Sequence, residues 1–134
     1  MKNDRHYLFE ITPFSDVDGN LAVLEAEKQI PFKIERIFYE YNVDENCVRG
    51  KHANKHSKFC LIAVAGSCDV IVEDGKDKVT YKLDQPNKVL FLDKMVWKTM
   101  THFSKDCVLL VLSDSAYDKS EYIRDFDEYL KLHG

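Results

Sequence analysis

Between residues 59 and 112, short apolar runs alternate with clusters of turn residues. Val79, Tyr81 and Leu83 are separated by polar residues, so the three apolar side chains share one face of an extended strand. The dipeptide Asp74-Gly75 is typical of a hairpin turn. This pattern predicts strands at residues 59–65, 68–73, 79–83, 89–92, 96–102 and 107–112.

The first half of the chain is less regular. Residues 7–11 form a short apolar run, residues 15–20 are a cluster of turn residues, and residues 21–25 are predicted as a strand. Residues 36–41 are rich in aromatic and β-branched side chains and are also predicted as a strand, after which a polar loop at 42–47 leads to the next segment. Strands at intervals of roughly 8–12 residues, with turns between them, indicate a sandwich or a barrel.

The hydrophobic spacing changes near the C-terminus. Apolar residues there recur at helical spacing: Tyr122, Ile123, Phe126, Tyr129 and Leu130. Ser120 is a suitable N-cap, so a short amphipathic helix is predicted to follow it. The chain is therefore predicted to be one all-β domain, residues 1–134, with a terminal helix. A double-sheet jelly roll of the cupin type (a double-stranded β-helix) fits the strand count, and such barrels hold small ligands at their mouth.

Composition and charge exclude several kinds of partner. A formal net charge of −4 argues against binding to a nucleic-acid backbone. The longest apolar runs have about six residues, whereas a membrane-spanning helix needs about 20. Residues 1–6 lead into no hydrophobic region of a signal peptide. We therefore expect a cytoplasmic protein that binds neither nucleic acid nor membrane, and in a reducing compartment its cysteines are expected to be buried free thiols: Cys47, Cys60, Cys68 and Cys107.

Residues 49–55, with the sequence RGKHANK, carry the candidate chemistry. In an extended segment His52 and Asn54 face the same way, together with His56 if the strand continues that far. A single inward histidine without a second histidine or a nearby glutamate does not supply the ligands of a metal site, so no metal is expected. His52 is suited to general acid–base catalysis near neutral pH, and the alternative is a hydrogen-bonded core histidine.

Cations and aromatic residues complete the candidate pocket. Arg49, Lys55 and Lys98 would suit an anionic ligand such as a diphosphate, unless they are ordinary solvated surface charges. Trp97, Tyr39 and Phe38 offer stacking area for a base, although aromatic residues in strands are usually part of the core.

Several motifs at uninterrupted spacing resemble one known family. They are Ile30-Pro31-Phe32-x-Ile34-x-Arg36, Arg49-Gly50-x-His52-Ala53, Gly66-Ser67, Asp74-Gly75, Leu83-Asp84-x-Pro86, Val96-Trp97, Phe103-Ser104-x-Asp106, Val111-Leu112, Tyr117-Asp118 and Tyr122-Ile123-Arg124-x-Phe126-Asp127. Over nearly its whole length the chain resembles the WxcM-like dTDP-sugar 3,4-ketoisomerases. These small metal-independent cupins, which need no cofactor, convert dTDP-4-keto-6-deoxyglucose to a 3-keto isomer.

The resemblance implies a role for His52 and raises a question about Asn54. His52 matches the base that removes the proton on C3 of the keto sugar, giving an enediolate. A second histidine of the family motif, which would shuttle protons between the C3 and C4 oxygens, is replaced here by Asn54. An amide cannot readily accept and release a proton at neutral pH. Water, another side chain or His56 would then have to take over that step.

Three further positions depart from the family pattern. Phe59 stands where glutamine is common, Lys98 where histidine or arginine follows the tryptophan, and Asp18 where arginine or tyrosine precedes a turn. The resemblance implies that the last two positions distinguish product stereochemistries, and the pair Asp18 and Lys98 is a new combination. The predicted catalytic residues are His52 and Asn54, and the predicted substrate-binding residues are Arg49, Lys98, Tyr39, Arg36, Lys55, Asp18 and Trp97.

The resemblance thus implies a 3,4-ketoisomerase acting on a dTDP-linked keto sugar, in the biosynthesis of amino sugars for surface polysaccharides such as the O-antigen of lipopolysaccharide. Two alternatives stay open at this point. One is an isomerase or epimerase of another nucleotide sugar on the same scaffold, and the other is a non-catalytic nucleotide-sugar-binding cupin. The resemblance further implies a homodimer with exchanged N-terminal strands, for which residues 7–11 offer a short apolar strand that needs a partner edge.

Overall fold

Two antiparallel five-stranded sheets make up most of the molecule. The computed structural model describes residues 4–75 and 77–133. The first sheet has the spatial order β1-β9-β6-β11-β4. Its strands are β1 (His6–Glu10), β4 (Arg36–Tyr41), β6 (Phe59–Ala65), β9 (Lys88–Leu92) and β11 (Val108–Ser113).

The second sheet has the order β12-β5-β10-β7-β8. Its strands are β5 (Arg49–Asn54), β7 (Cys68–Asp74), β8 (Asp77–Leu83), β10 (Trp97–Thr101) and β12 (Tyr122–Ile123). Two short strands, β2 (Phe14–Asp16) and β3 (Gly19–Leu21), form a separate hairpin.

The two sheets face each other across one apolar core. Phe59 and Leu61 from the first sheet cluster with Val70, Val72 and Met100 from the second. Strand β7 shows how alternation builds this layer, because every second side chain from Cys68 to Val72 is buried. The predicted all-β jelly roll of the cupin type is therefore confirmed.

Three of the four cysteines are buried thiols, as predicted. Cys60, Cys68 and Cys107 are buried free cysteines, and Cys47 is a half-buried one. Burial raises the pKa of Cys60 to about 12, which leaves that thiol protonated and unreactive.

The C-terminal segment differs from the prediction. The α-helix α1 spans Phe126–His133, whereas the spacing of apolar residues placed its start next to Ser120. Tyr122 and Ile123 instead pair with β5 as strand β12. Asp125 begins the helix, since its carboxylate accepts a hydrogen bond from the Asp127 amide and its carbonyl accepts one from Tyr129.

Ser120 has a different role from the predicted N-cap. It lies in a 3₁₀ turn, Lys119–Glu121, and donates its amide hydrogen to the Asp118 carboxylate. The strand predicted at 21–25 is also wrong beyond its first residue, because β3 ends at Leu21. No helix in the described part of the chain is long and apolar enough to cross a bilayer.

Candidate active site

Strand β5 reaches the interior through a bulge. Facing β10, His52 pairs with Lys98 and Arg49 pairs with Met100, so the strand contains one residue more than its partner between these pairs. Gly50 and Lys51 supply the extra residue with positive φ angles of 80° and 58°. Arg49 and His52, three positions apart, consequently face the same side of the sheet.

Gly50 is required at this bulge for a second reason. A Cβ atom at its position would lie 2.9 Å from the Lys98 carbonyl oxygen and 3.0 Å from the Met100 sulfur. Only glycine combines the positive φ with so close an approach of the neighbouring strand.

The inner faces of both sheets enclose a cavity of about 450 Å³ at this end of the barrel. Its wall is partly apolar and carries four acidic or basic side chains besides His52: Glu40, Arg49, Lys98 and Arg124. The other lining residues are Phe38, Tyr39, Val48, Gly50, Phe59, Leu61, Met100, Val111 and Tyr122. A cavity of this size, with few polar groups on an apolar wall, is typical of a small-molecule site.

His52 lies on this wall as a neutral imidazole. Burial, and then the positive charge of Lys98, lower its pKa from 6.5 to about 4. Its ring packs against the ring of Tyr122 with centroids 4.8 Å apart. Its Nδ1 atom is buried and makes no hydrogen bond of standard geometry to a described residue, although the Gly50 backbone interacts with the ring and opposes the lowering of its pKa. The ring is therefore unprotonated at neutral pH and equipped to accept a proton.

Lys98 is buried beside His52 and contacts two residues that depart from the family pattern. Its Nζ donates a hydrogen bond to Asn54 Oδ1 at 3.2 Å and lies 4.1 Å from the centroid of the Phe59 ring. The side chain is only 5% exposed. Three replacements that are separate in the sequence thus form a single contact cluster.

Glu121 fixes the position of the two residues His56 and Ser57, which follow β5, through hydrogen bonds. Its buried carboxylate accepts hydrogen bonds from the backbone amides of His56 and Ser57 and from the Ser57 hydroxyl. Burial raises the pKa of Glu121, but the hydrogen bonds from Ser57 and His56 outweigh it, so the pKa is lowered overall. The carboxylate is therefore ionised and supplies a buried negative charge behind Lys98 and His52.

Arg49 and Arg36 differ in how they are held. Arg49 donates to Glu40 at 3.0 Å, and this hydrogen bond raises the pKa of Arg49. The Arg36 guanidinium lies 5.0 Å from the centroid of Phe38, a cavity residue, although Arg36 is not itself on the cavity wall. Its Nε and Nη2 atoms are buried without a hydrogen-bond partner among the described residues.

The structure brings together four of the nine predicted site residues on the cavity wall: His52, Arg49, Lys98 and Tyr39. Asn54 and Arg36 lie directly behind this wall, through their contacts with Lys98 and Phe38.

The remaining predicted site residues are elsewhere. Lys55 is exposed beyond the end of β5. Trp97 alternates with Lys98 and packs on the opposite side of the sheet, against Phe126 and Tyr129. Asp18 is exposed at the tip of the β2–β3 hairpin.

His56, considered as a replacement for the missing histidine, is also outside the cavity. Strand β5 ends at Asn54, so the alternation that would have turned His56 inward does not continue. Its ring is instead at the surface, 3.5 Å from Asp118 and from Glu121.

Sequence patterns missed Glu40, Tyr122, Arg124 and Glu121. The alternation within residues 36–41 carries a signal for Glu40, because that residue shares a face with Phe38. Tyr122 and Arg124 were assigned to a helix, and no local pattern distinguishes that helix from the short strand β12. Glu121 also lies in the predicted helix. No local pattern reveals it, because its buried carboxylate binds the amides of residues 64 and 65 positions away.

A larger cavity of about 590 Å³ lies on the outer side of the first sheet. Its wall includes Pro13, Ala22, Ile62, Val64 and Leu110 and contains no ionisable side chain. It therefore offers no group for acid–base chemistry. Among the described residues, no group of three or more His, Cys, Asp or Glu side chains is placed to hold a metal ion.

Comparisons with known proteins agree on one family. The family model described as FdtA, WxcM-like, C-terminal, matches residues 4–134. The TDP-4-oxo-6-deoxy-α-D-glucose-3,4-oxoisomerase of Aneurinibacillus thermoaerophilus is 39% identical over 116 residues, which are 87% of this chain and 84% of that protein.

Two solved structures have nearly the same fold. A 3,4-ketoisomerase from Helicobacter canadensis superposes with a TM-score of 0.93 at 38% identity, covering 96% of both chains. A histidine-to-asparagine variant of the 3,4-ketoisomerase QdtA from Thermoanaerobacterium thermosaccharolyticum, in complex with TDP-4-keto-6-deoxyglucose, superposes with a TM-score of 0.94 at 30% identity, covering 98% of this chain and 96% of that one. With a family model spanning almost every residue, and relatives similar over nearly their full length, this chain belongs to the FdtA, or WxcM-like, family.

Proposed function

We propose that the protein is a sugar 3,4-ketoisomerase that converts dTDP-4-keto-6-deoxyglucose to a dTDP-3-keto-6-deoxyhexose. The observation that carries the proposal is His52, a neutral imidazole on the wall of a cavity of about 450 Å³, with a buried nitrogen that makes no hydrogen bond of standard geometry to a described residue. The relatives named as 3,4-ketoisomerases, one of them bound to TDP-4-keto-6-deoxyglucose, support the choice of reaction and substrate.

The reaction begins with removal of the proton on C3 of the sugar. The C4 ketone acidifies this proton, and His52 accepts it, leaving an enediolate across C3 and C4. The cations on the cavity wall, Lys98, Arg49 and Arg124, stabilise the negative charge that develops. Transfer of the hydroxyl proton from the C3 oxygen to the C4 oxygen, together with return of the proton from His52 to C4, completes the exchange of carbonyl positions.

The same cations suit the diphosphate of the nucleotide. Arg49 is fixed by Glu40 and keeps donors free for a phosphate oxygen, whereas Arg36, which is not on the cavity wall, is given no contact with the ligand. Tyr39 borders the cavity, but its 60% exposed ring packs against Tyr41 on the opposite face of β4 from Phe38, so the proposal gives it no contact with the base. Lys55 and Trp97 take no part in this proposal, because neither lines the cavity.

The test is an isotope experiment. Incubation of the wild-type protein with dTDP-4-keto-6-deoxyglucose in deuterated water should introduce deuterium at C3 of recovered substrate and yield a 3-keto product, both visible by NMR. His52→Gln replaces the imidazole with a polar amide that cannot act as a base. Turnover should fall by about 10²–10⁴-fold, the usual contribution of a general base. Wild-type protein that binds dTDP in a calorimeter, yet gives neither exchange nor product, would identify a non-catalytic binding protein instead.

We further propose that the protein acts as a homodimer through its N-terminal hairpin. Phe14, Val17 and Leu21 on this hairpin are 70%, 101% and 60% exposed, which leaves apolar surface uncovered in a single chain. Asp18 at the hairpin tip would then approach a second protomer. Its predicted contact with substrate would be made in the site of that protomer.

Light scattering should give twice the monomer mass for the wild type and a monomer for the double variant Phe14→Ser, Leu21→Ser. Val79→Ser, a change at another exposed apolar residue on β8, serves as the control and should leave the mass unchanged. A wild type that is monomeric at micromolar concentration contradicts the proposal.

The product's chemistry suggests its place in metabolism. A ketone at C3 is a substrate for a transaminase, so we place the enzyme in the cytoplasmic supply of amino sugars for surface polysaccharides such as O-antigen.

A further inference from the structure

Lys98 is positioned for chemistry as directly as His52. The two residues are paired across strands β10 and β5, and both side chains reach the same cavity. Residues opposite each other in antiparallel strands have Cβ atoms about 5 Å apart, so one small substrate can contact both.

The environment of the Lys98 amine is unusual for a lysine. In the part of the chain that the structure describes, its one hydrogen bond is to Asn54 Oδ1, and no carboxylate lies within 4.0 Å of Nζ. The Phe59 ring covers another side of the amine at 4.1 Å. The charged or titratable groups around it are Glu121, Arg36 and His52. A structural lysine would be exposed or ion-paired, whereas this amine has donors left over and faces a cavity.

Asn54 fixes the amine without competing for its proton. A carboxylate at that distance would form an ion pair and hold the ammonium charged, and an imidazole would itself titrate. An amide oxygen accepts a hydrogen bond from the ammonium or the neutral amine but takes no proton at neutral pH. The hydrogen bond at 3.2 Å therefore orients Nζ and leaves it able to release and regain a proton.

We propose that Lys98 is a second catalytic residue, which transfers the proton between the C3 and C4 oxygens while Asn54 positions its amine. This inference rests on the proposed ketoisomerase function. It assigns to the chain's own lysine the step that Asn54 cannot perform.

The proposed cycle balances without an added reactant. His52 takes the proton from C3, and the Lys98 ammonium donates a proton to the C4 oxygen, giving a neutral enediol. The neutral Lys98 amine then takes the proton from the C3 hydroxyl, and the His52 imidazolium returns its proton to C4. The ketone has moved from C4 to C3, and both side chains are restored to their starting states.

The acidity of the amine suits this role. Burial lowers the pKa of Lys98 from 10.5 to about 7, with Glu121 opposing the shift and Arg36 adding to it. A group that titrates close to neutral pH can both donate and accept a proton in one turnover.

Two substitutions separate proton transfer from charge. Lys98→Arg keeps a cation but cannot lose its proton, and Lys98→Met keeps the length without any charge. For each variant, C3 deuterium incorporation and 3-keto product formation are measured separately in deuterated water. We expect Lys98→Arg to retain exchange within about tenfold of wild type and to lose product formation by about 100-fold. Lys98→Met should lose both, because the enediolate then lacks the stabilising charge of Lys98 as well as its proton.

The pH dependence provides a readout that a purely structural role would not alter. Wild-type kcat/KM should rise near pH 4 as His52 deprotonates and fall above about pH 7 as Lys98 loses its proton. The residual activity of Lys98→Arg should lack the fall near pH 7. Lys82→Arg, on the exposed face of β8, is the matched control and should keep the wild-type profile.

Each result decides between the two proposals. If Lys98→Arg forms product at the wild-type rate with the same fall near pH 7, Lys98 is not the proton-transfer residue, although the ketoisomerase function stands. If the wild type itself exchanges no deuterium at C3, the proposed function fails. Methylamine added to Lys98→Ala should restore product formation, whereas tetramethylammonium, which carries no transferable proton, should not. Equal effects of the two cations would overturn the assignment, and circular dichroism confirms that the variant is folded.

Discussion

The side-chain oxygen of Asn54 accepts a hydrogen bond from Lys98 Nζ at 3.2 Å, and both residues are at least 95% buried. The residue that replaces a family histidine is thus joined to the residue that departs from the family pattern on the neighbouring strand. Because burial makes electrostatic interactions stronger, a change in charge at Asn54 acts directly on the proton affinity of Lys98.

Substitution of Asn54 should therefore move the alkaline limb of the pH profile in a predictable direction. Asn54→Asp places a negative charge beside the ammonium, raises the pKa of Lys98 and shifts the limb to higher pH by at least about one unit. Asn54→Leu removes the acceptor of the Lys98 hydrogen bond and shifts the limb to lower pH. Steady-state kcat/KM measured between about pH 5 and pH 10 tests both, and a limb at the same pH in all three proteins contradicts the coupling.

The free energy of unfolding should also depend on Lys98. Its pKa is about 7 in the folded protein and has the ordinary value of 10.5 in the unfolded chain. The unfolded chain therefore binds more protons between these values, so stability rises with pH through this window and the burial cost is fully present below it. The shift corresponds to at most about 5 kcal/mol.

Urea denaturation of wild type and Lys98→Met at about pH 7 and pH 9.5 measures this contribution as a difference. The wild type should gain stability relative to Lys98→Met as the pH rises, since the methionine does not titrate. Groups that titrate in both proteins cancel in the comparison. A difference that stays constant with pH would show that folding does not lower the pKa of Lys98.

Glu121 should be a major determinant of stability near the site. Glu121→Gln weakens the hydrogen bonds to the His56 and Ser57 amides and to the Ser57 hydroxyl, and should lower the free energy of unfolding by about 1.5–3 kcal/mol. Since the folded pKa of Glu121 is lowered, its contribution is complete above the ordinary value of 4.5 and is lost as the pH falls through the folded value.

Chemical denaturation at neutral and acidic pH checks this prediction, with Glu128→Gln on the exposed face of α1 as the control. The control should change stability by less than about 0.5 kcal/mol. Equal effects of the two substitutions would mean that the Glu121 hydrogen bonds are not stabilising.

Gly50→Ala should be destabilising through both conformation and contact. Gly50 has a φ of 80°, and an added Cβ would lie 2.9 Å from the Lys98 carbonyl oxygen. Gly19 also has a positive φ, but nothing lies within 4 Å of an added Cβ there. Gly50→Ala should therefore cost about 1–3 kcal/mol more than Gly19→Ala, the typical cost of overpacking. Thermal or urea unfolding of the two variants measures the difference, and similar losses would exclude a contact effect at Gly50.

Much of the barrel could be predicted from residues 36–41 and 59–112, because strand alternation and turn residues are local signals. The strand β4 spans the predicted residues, and β6 to β11 agree with the predictions within about two residues at each end. Local signals failed where a distant partner determines the structure. Tyr122 and Ile123 have helical spacing, yet pairing with Asn54 and Ala53 makes them a strand.

The site was predicted in part for the same reason. His52 and Lys98 lie on strands whose alternation is clear, and both line the cavity. Alternation alone places Arg49 and His52 on opposite faces, because it takes no account of the bulge. It also predicts that His56 faces inward, although β5 ends at Asn54. The contacts of Lys98 with Asn54 and Phe59 join residues 44 and 39 positions apart, which no local pattern reveals.

The bulge in β5 makes segment length a functional variable in its own right. Arg49 and His52 share a face only because one residue of the strand, at Gly50 or Lys51, has no counterpart on β10. Loss of the bulge at unchanged chain length would restore simple alternation and turn either the arginine or the histidine outward, although both would still be encoded. The spacing of three between these residues therefore places both side chains in the cavity only together with the bulge. A substitution at Gly50 that straightened the strand without shortening it would therefore separate the two side chains, whereas a compensating deletion of one residue would bring them back to the same face.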